Sequence, residues 1–67
     1  MTVRLNGEAV QLSDGASVAD VIARLGLAAG RGFAVAVDGE VVPHGQWECH
    51  TLHDAARVEV VTALQGG

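Results

Sequence analysis

Sixty-seven residues suffice for one domain and leave no room for a second. Hydrophobic residues make up 49% of the chain, enough for a core. A core of this size rarely supplies more than roughly 3–5 kcal/mol of net stability, so a deep internal substrate pocket is not expected. The formal net charge is −4, with four arginines scattered along the sequence and no lysine; this disfavours a phosphate-backbone ligand and suits a basic patch on a protein partner.

The single cysteine, Cys49, cannot close an internal disulfide. No apolar run approaches the roughly 20 residues of a membrane span, and Met1-Thr2-Val3-Arg4-Leu5 lacks a basic-then-apolar leader pattern. The expectation is a soluble protein in a reducing, cytoplasmic setting, with neither nucleic acid nor membrane as partner.

Thr2 to Asn6 alternates, with Val3 and Leu5 on one face, as a half-buried strand does. Asn6-Gly7 supplies the positive φ angles of a tight hairpin turn, and alternation resumes from Glu8 to Leu12. Ser17 then stands where a helix N-cap is wanted, with Asp20 three residues on to complete a capping box and to oppose the helix dipole. Val18, Val21, Ile22 and Leu25 fall at i, i+3, i+4 and i+7, so the spacing predicts a helix over Val18–Leu25 with one apolar face. Gly26 suits a left-handed C-terminal residue.

Leu27 to Gly32 reads as a small-residue loop. Phe33 to Val37 is uninterruptedly apolar, which predicts a strand buried on both faces or placed centrally. Asp38-Gly39 is a second turn signal, Glu40-Val41-Val42 a short strand, and Pro43 its end. His44 to His50 reads as irregular with Trp47 as an anchor, Thr51-Leu52 as a brief strand, His53 to Ala56 as a turn, and Arg57–Thr62 as the last strand. One sheet with the helix across one face buries the helical stripe most simply.

Cys49, His50, His53 and His44 invite a zinc reading, but their spacing matches no established ligand pattern and no metal site is expected. Cys49 as a nucleophile lacks an activating cation, and Glu48 beside it opposes thiolate formation. No acid, base and nucleophile constellation points to an enzyme.

The chain divides into a domain of residues 1–62 and a flexible tail of residues 63–67, Ala63-Leu64-Gln65-Gly66-Gly67. Glycine has no side chain to obstruct a narrow channel, and five extended residues reach roughly 17 Å. By itself a diglycine end is close to an idle terminus. Its context is the opening hairpin, Ser17-Val18, Ala34-Val35-Ala36-Val37-Asp38, Val41-Val42-Pro43 followed by Trp47, Val58-Glu59-Val60-Val61, and Ala63-Leu64-Gln65-Gly66-Gly67. In this the chain resembles, over its whole length, the β-grasp family of ubiquitin and the prokaryotic sulfur carriers, and most closely the ThiS-type carriers of thiamine biosynthesis. It departs from that pattern at Asp38 (usually Asn), His44 (usually Arg) and Ala55-Ala56 (usually Gly-Asp).

The resemblance implies an α+β, ubiquitin-like β-grasp fold, with a mixed sheet of four to five strands and one helix. It also implies a carrier rather than an enzyme. A ThiF-type partner uses ATP and Mg²⁺ to adenylate Gly67; no cofactor is bound by this chain. Sulfur from a donor such as a cysteine desulfurase then gives a C-terminal thiocarboxylate, which the thiazole synthase ThiG consumes. Gly66 and Gln65 would thread the partner's channel, and Leu64, Val42 and Phe33 are docking candidates. The alternatives are a carrier for molybdopterin or cysteine synthesis, a protein modifier, or a plain β-grasp interaction module with an idle tail.

Overall fold

In the computed structural model, residues 1–26 and 32–62 are described. Two turns of the same kind organise the sheet. At Asn6-Gly7 φ is 50° and 88°, and at Asp38-Gly39 it is 52° and 88°. Positive φ at both central positions is the type I′ geometry whose twist matches that of paired strands. The first turn joins β1 (Thr2–Leu5) to β2 (Glu8–Gln11), the second joins β3 (Phe33–Val37) to β4 (Glu40–Val42), and both pairs are antiparallel. β5 (Arg57–Thr62) inserts between the hairpins, parallel to β1 and antiparallel to β3, for a strand order β2-β1-β5-β3-β4. The result is an α+β fold with a five-stranded mixed sheet and one helix.

The helix α1 spans Val18–Leu25 and is capped at both ends as the sequence predicts. The Asp20 backbone N–H donates to Ser17 Oγ (3.3 Å) and the Ser17 N–H donates to Asp20 Oδ2 (2.8 Å). Gly26 has φ 74° and returns its N–H to the last turn. Two further N–H groups that a helix start leaves unpaired are met from outside: Val18 donates to the His50 carbonyl (3.0 Å) and Ala19 to that of Trp47 (3.1 Å). The segment expected to be irregular is thereby fixed under the helix. It opens with a 3₁₀ turn at His44–Gln46, and Trp47 is buried with its indole N–H donating to the Val42 carbonyl (2.9 Å).

The core lies between α1 and one face of the sheet. Val18, Val21 and Ile22 meet Val3, Leu5, Val35, Val37, Val42 and Val58, with Trp47 and Leu52 closing the side.

Four expectations change. Leu25 is 41% exposed, so the buried face of the helix consists of Val18, Val21 and Ile22. β3 is buried on one face only: Val35 and Val37 face the helix, while Ala34 is exposed and Ala36 half-buried on the other side. Its central place in the sheet does hold. Thr51 makes a single bridge to Ser17 instead of a strand. β1 and β2 each stop one residue sooner than the alternation, at Leu5 and Gln11. Of the small-residue loop, residues 27–31 lie outside the described residues.

Candidate functional site

Gly67, Gly66, Gln65 and Leu64 lie outside the described residues. What the structure describes is the strand that precedes them in the chain. β5 ends at Thr62 in the middle of the sheet, paired with Phe33 of β3. On its other side β1 pairs only as far as Leu5↔Val58. Beyond that point the Asn6 side chain takes over: its Oδ1 accepts the Val60 N–H (2.8 Å) and its Nδ2 donates to the Val60 carbonyl (3.3 Å). One carboxamide thus imitates one more peptide of β1. Val61 and Thr62 pair with β3 alone. In sequence Asn6 is legible as a turn residue only; its second task depends on β5, 54 positions away, and leaves no local signal.

The sheet face away from α1 is open. Cross-strand register places Val61 beside Ala34, and Val41 beside Ala36. Val41 is 70% and Val61 62% exposed, so these four residues form an apolar strip that runs to the last described residues of β5. Val42, expected as a docking residue, is 4% exposed and faces the core. Strand alternation puts its neighbour Val41 outward instead. Phe33 is half-buried and stacks on Trp47 with centroids 5.4 Å apart, so its ring is engaged at the margin of the core. His44 packs edge-on against the same indole at 4.5 Å.

The opposite end of β5 is polar. Asp38 Oδ1 accepts the Arg57 N–H (3.0 Å), and Asp38 Oδ2 accepts from His53 Nε2 (2.7 Å). His53 Nδ1 donates to the Asp54 carbonyl at 2.7 Å. Both ring nitrogens face oxygens, so the protonated imidazolium satisfies both contacts with its two N–H donors. Accordingly the Asp38 carboxylate, followed by the Asp54 carbonyl, raises the His53 pKa above its ordinary 6.5. The Arg57 backbone N–H and then His53 lower that of Asp38 below 3.8. Asp38 and His53 therefore form an ion pair when the imidazole is protonated.

Ala55 sits at φ 69°, in the left-handed region that a Cβ disfavours. Among the described residues no three His, Cys, Asp or Glu side chains converge on one point. Cys49 is exposed and free. No described helix is long and apolar enough to cross a membrane. The arginines are less scattered than the sequence implies, for Arg4 of β1 and Arg57 of β5 are register partners.

A five-stranded mixed sheet crossed by one helix, with two hairpins flanking a central final strand, defines a β-grasp protein. The family model described as the ThiS family matches residues 3–67, and the chain belongs to that family of sulfur carriers. The fold is shared with the crystal structure of a thiamine biosynthesis protein (ThiS) from Geobacter metallireducens, at TM-score 0.84 and 23% identity over 100% of both chains. It is shared too with the solution structure of a thiamine biosynthesis protein from the same organism, at TM-score 0.76 and 25% identity, covering 100% of this chain and 87% of that one. No curated protein sequence matches this chain.

Proposed function

We propose that the chain carries sulfur for the thiazole ring of thiamine as a thiocarboxylate on Gly67, acting as a protein-sized cosubstrate. A C-terminal carboxyl titrates at about 3.3–3.7 and is ionised at neutral pH, which makes it a poor electrophile. Adenylation by a ThiF-type partner, with that partner's ATP and Mg²⁺, replaces it with an acyl-phosphate anhydride and releases pyrophosphate. A persulfide sulfur displaces AMP, and a thiol then cleaves the sulfur–sulfur bond to leave the thiocarboxylate. ThiG accepts this sulfur. Gly66 and Gln65 thread the partner's channel, and Leu64 together with the strip of Val61, Ala34, Ala36 and Val41 seats the domain.

The observation that supports this reading is the pairing of two limits. The family match runs through residue 67, whereas the last described residue of β5 is Thr62. The reacting end thus lies five positions beyond the last strand residue, within roughly 17 Å of extended chain.

Intact mass after incubation with the adenylating enzyme, ATP, Mg²⁺ and a sulfur donor tests it. The expected gain is the difference between one sulfur and one oxygen, and deletion of Gly67 removes it without altering the fold. An unchanged mass, with an enzyme active on another carrier, would establish the tail as idle.

A further inference from the structure

The open face carries a second feature, at the end of β5 away from the tail. Arg4 and Arg57 are direct register partners on the parallel pair β1–β5. Their neighbours Leu5 and Val58 are buried, so by strand alternation both arginines stand on the open face, with backbones about 4.8 Å apart. Both are exposed. Like charges placed directly across a strand pair repel, and the carboxylate that Arg57 feels, that of Asp38, acts on it through space without a salt bridge. Among the described residues neither guanidinium lies within 4.0 Å of a carboxylate: the two ion pairs present join the Met1 ammonium to Asp14 and His53 to Asp38.

The surroundings prepare the pair. Arg4 Nη1 donates to the Gly7 carbonyl (3.1 Å), which steadies one guanidinium and leaves its remaining donors free. Asp38 lies close by, but its two oxygens are committed to His53 and to the Arg57 backbone N–H. Arg4, Gly7, Arg57, Val58 and Glu59 line a shallow depression of about 390 Å³. Glu59 closes the side toward the apolar strip and repels an anion there, so the depression accepts negative charge at its Arg4–Arg57 end. A chain of net charge −4 with only four arginines and no lysine has two of those arginines side by side.

We propose that Arg4 and Arg57 form a two-guanidinium clamp for an acidic side chain of the protein partner that receives the tail. Planar guanidinium forks fit a carboxylate with paired hydrogen bonds. The clamp shares its face with the strip of Val61, Ala34, Ala36 and Val41, so one partner surface spans both. In that interface the apolar strip supplies area next to the tail, and the clamp fixes the rotation of the domain about it. The inference rests on the carrier reading for the identity of the partner.

The test separates binding from loading. Affinity of the adenylating enzyme for the full chain is measured by calorimetry, and loading by intact mass. Arg4→Gln with Arg57→Gln is expected to weaken binding about thirtyfold, and to flatten the salt dependence that the parent protein shows. Arg4→Lys with Arg57→Lys keeps the charge but not the fork and should fall between. An unchanged amide spectrum away from these residues confirms an intact fold. Unchanged affinity and salt dependence in the Gln variant, with the parent protein loaded normally, would overturn the clamp. Saturable shifts of the Arg4, Gly7 and Val58 amides with inorganic phosphate, at unchanged enzyme affinity, would also overturn it in favour of a small-anion site. Arginine-dependent binding without any loading would support the clamp and refute the thiocarboxylate reading.

Discussion

The two ends of β5 are built on opposite principles. At its start the strand is held on both sides. Arg4 donates to the Ala56 carbonyl, Asp38 exchanges backbone and side-chain hydrogen bonds with Arg57, and His53 fastens Asp38 to the turn before the strand. At its end the β1 side is served by one carboxamide, that of Asn6, and the last two residues pair with β3 alone. Hydrogen bonding is thus denser at the start of β5 than at Thr62. The proposed role would gain from this division, because a partner that took hold of the chain beyond Thr62 would leave the core pairs of Val58 undisturbed.

The largest expected effect sets the two ends directly against each other. Val58 is fully buried and Val61 is 62% exposed. Val58→Ala should cost about 2–3 kcal/mol, most of what so small a domain has, and denaturant melts will show it. Val61→Ala should stay within about 0.5 kcal/mol yet raise the KM for loading. Equal destabilisation by the two would break the comparison.

Next comes the carboxamide. Asn6→Gly keeps a residue suited to φ 50° while removing both hydrogen bonds to Val60. It should cost about 1–2 kcal/mol, with amide exchange accelerating at Val60 before it does at Val58. Uniform acceleration along β5 would show that Asn6 supports the whole strand and not its exit.

Ala55→Gly relieves a left-handed alanine and should gain about 1 kcal/mol, seen as a melting temperature raised by roughly 4–8 °C. A lowered melting temperature would mean that the turn carries no strain.

The smallest effect is the pH dependence of the His53–Asp38 pair. The folded pKa of His53 lies above its ordinary 6.5, so its contribution is complete below 6.5 and is lost as pH rises through the folded value. Asp38 is lowered below 3.8, so its contribution is present above 3.8 and is lost only as pH falls through the folded value. His53→Gln should therefore flatten the alkaline limb of a melting-temperature profile and leave the region between those limits shallow. Both groups are exposed, so the slope will shrink with added salt.

Much of this architecture is written locally. Asn6-Gly7 and Asp38-Gly39 demand positive φ, Ser17 and Asp20 cap one helix, and the 3.6-residue spacing of Val18, Val21 and Ile22 buries one face. Such signals act over a few residues, and they placed α1, β3, β4 and β5 at their observed limits. Local pattern was weaker where two readings share one composition. An all-apolar run does not distinguish a strand buried on both faces from one whose outer face is lined with alanine, which is how β3 is built. Nor does a Val41-Val42 pair say which residue points outward until strand pairing sets the alternation.

The sequence by itself determined the helix and the five strands of the sheet, both hairpin turns, the helix caps, and the family to which the chain belongs. Only the tertiary structure decided that Arg4 lies beside Arg57, that His53 reaches Asp38, that Asn6 completes the pairing of Val60, and that Val41 rather than Val42 faces outward. The physical reason is separation along the chain. These contacts join residues as many as 54 positions apart, and such pairs come together only once β5 has inserted between two hairpins that each form by local rules.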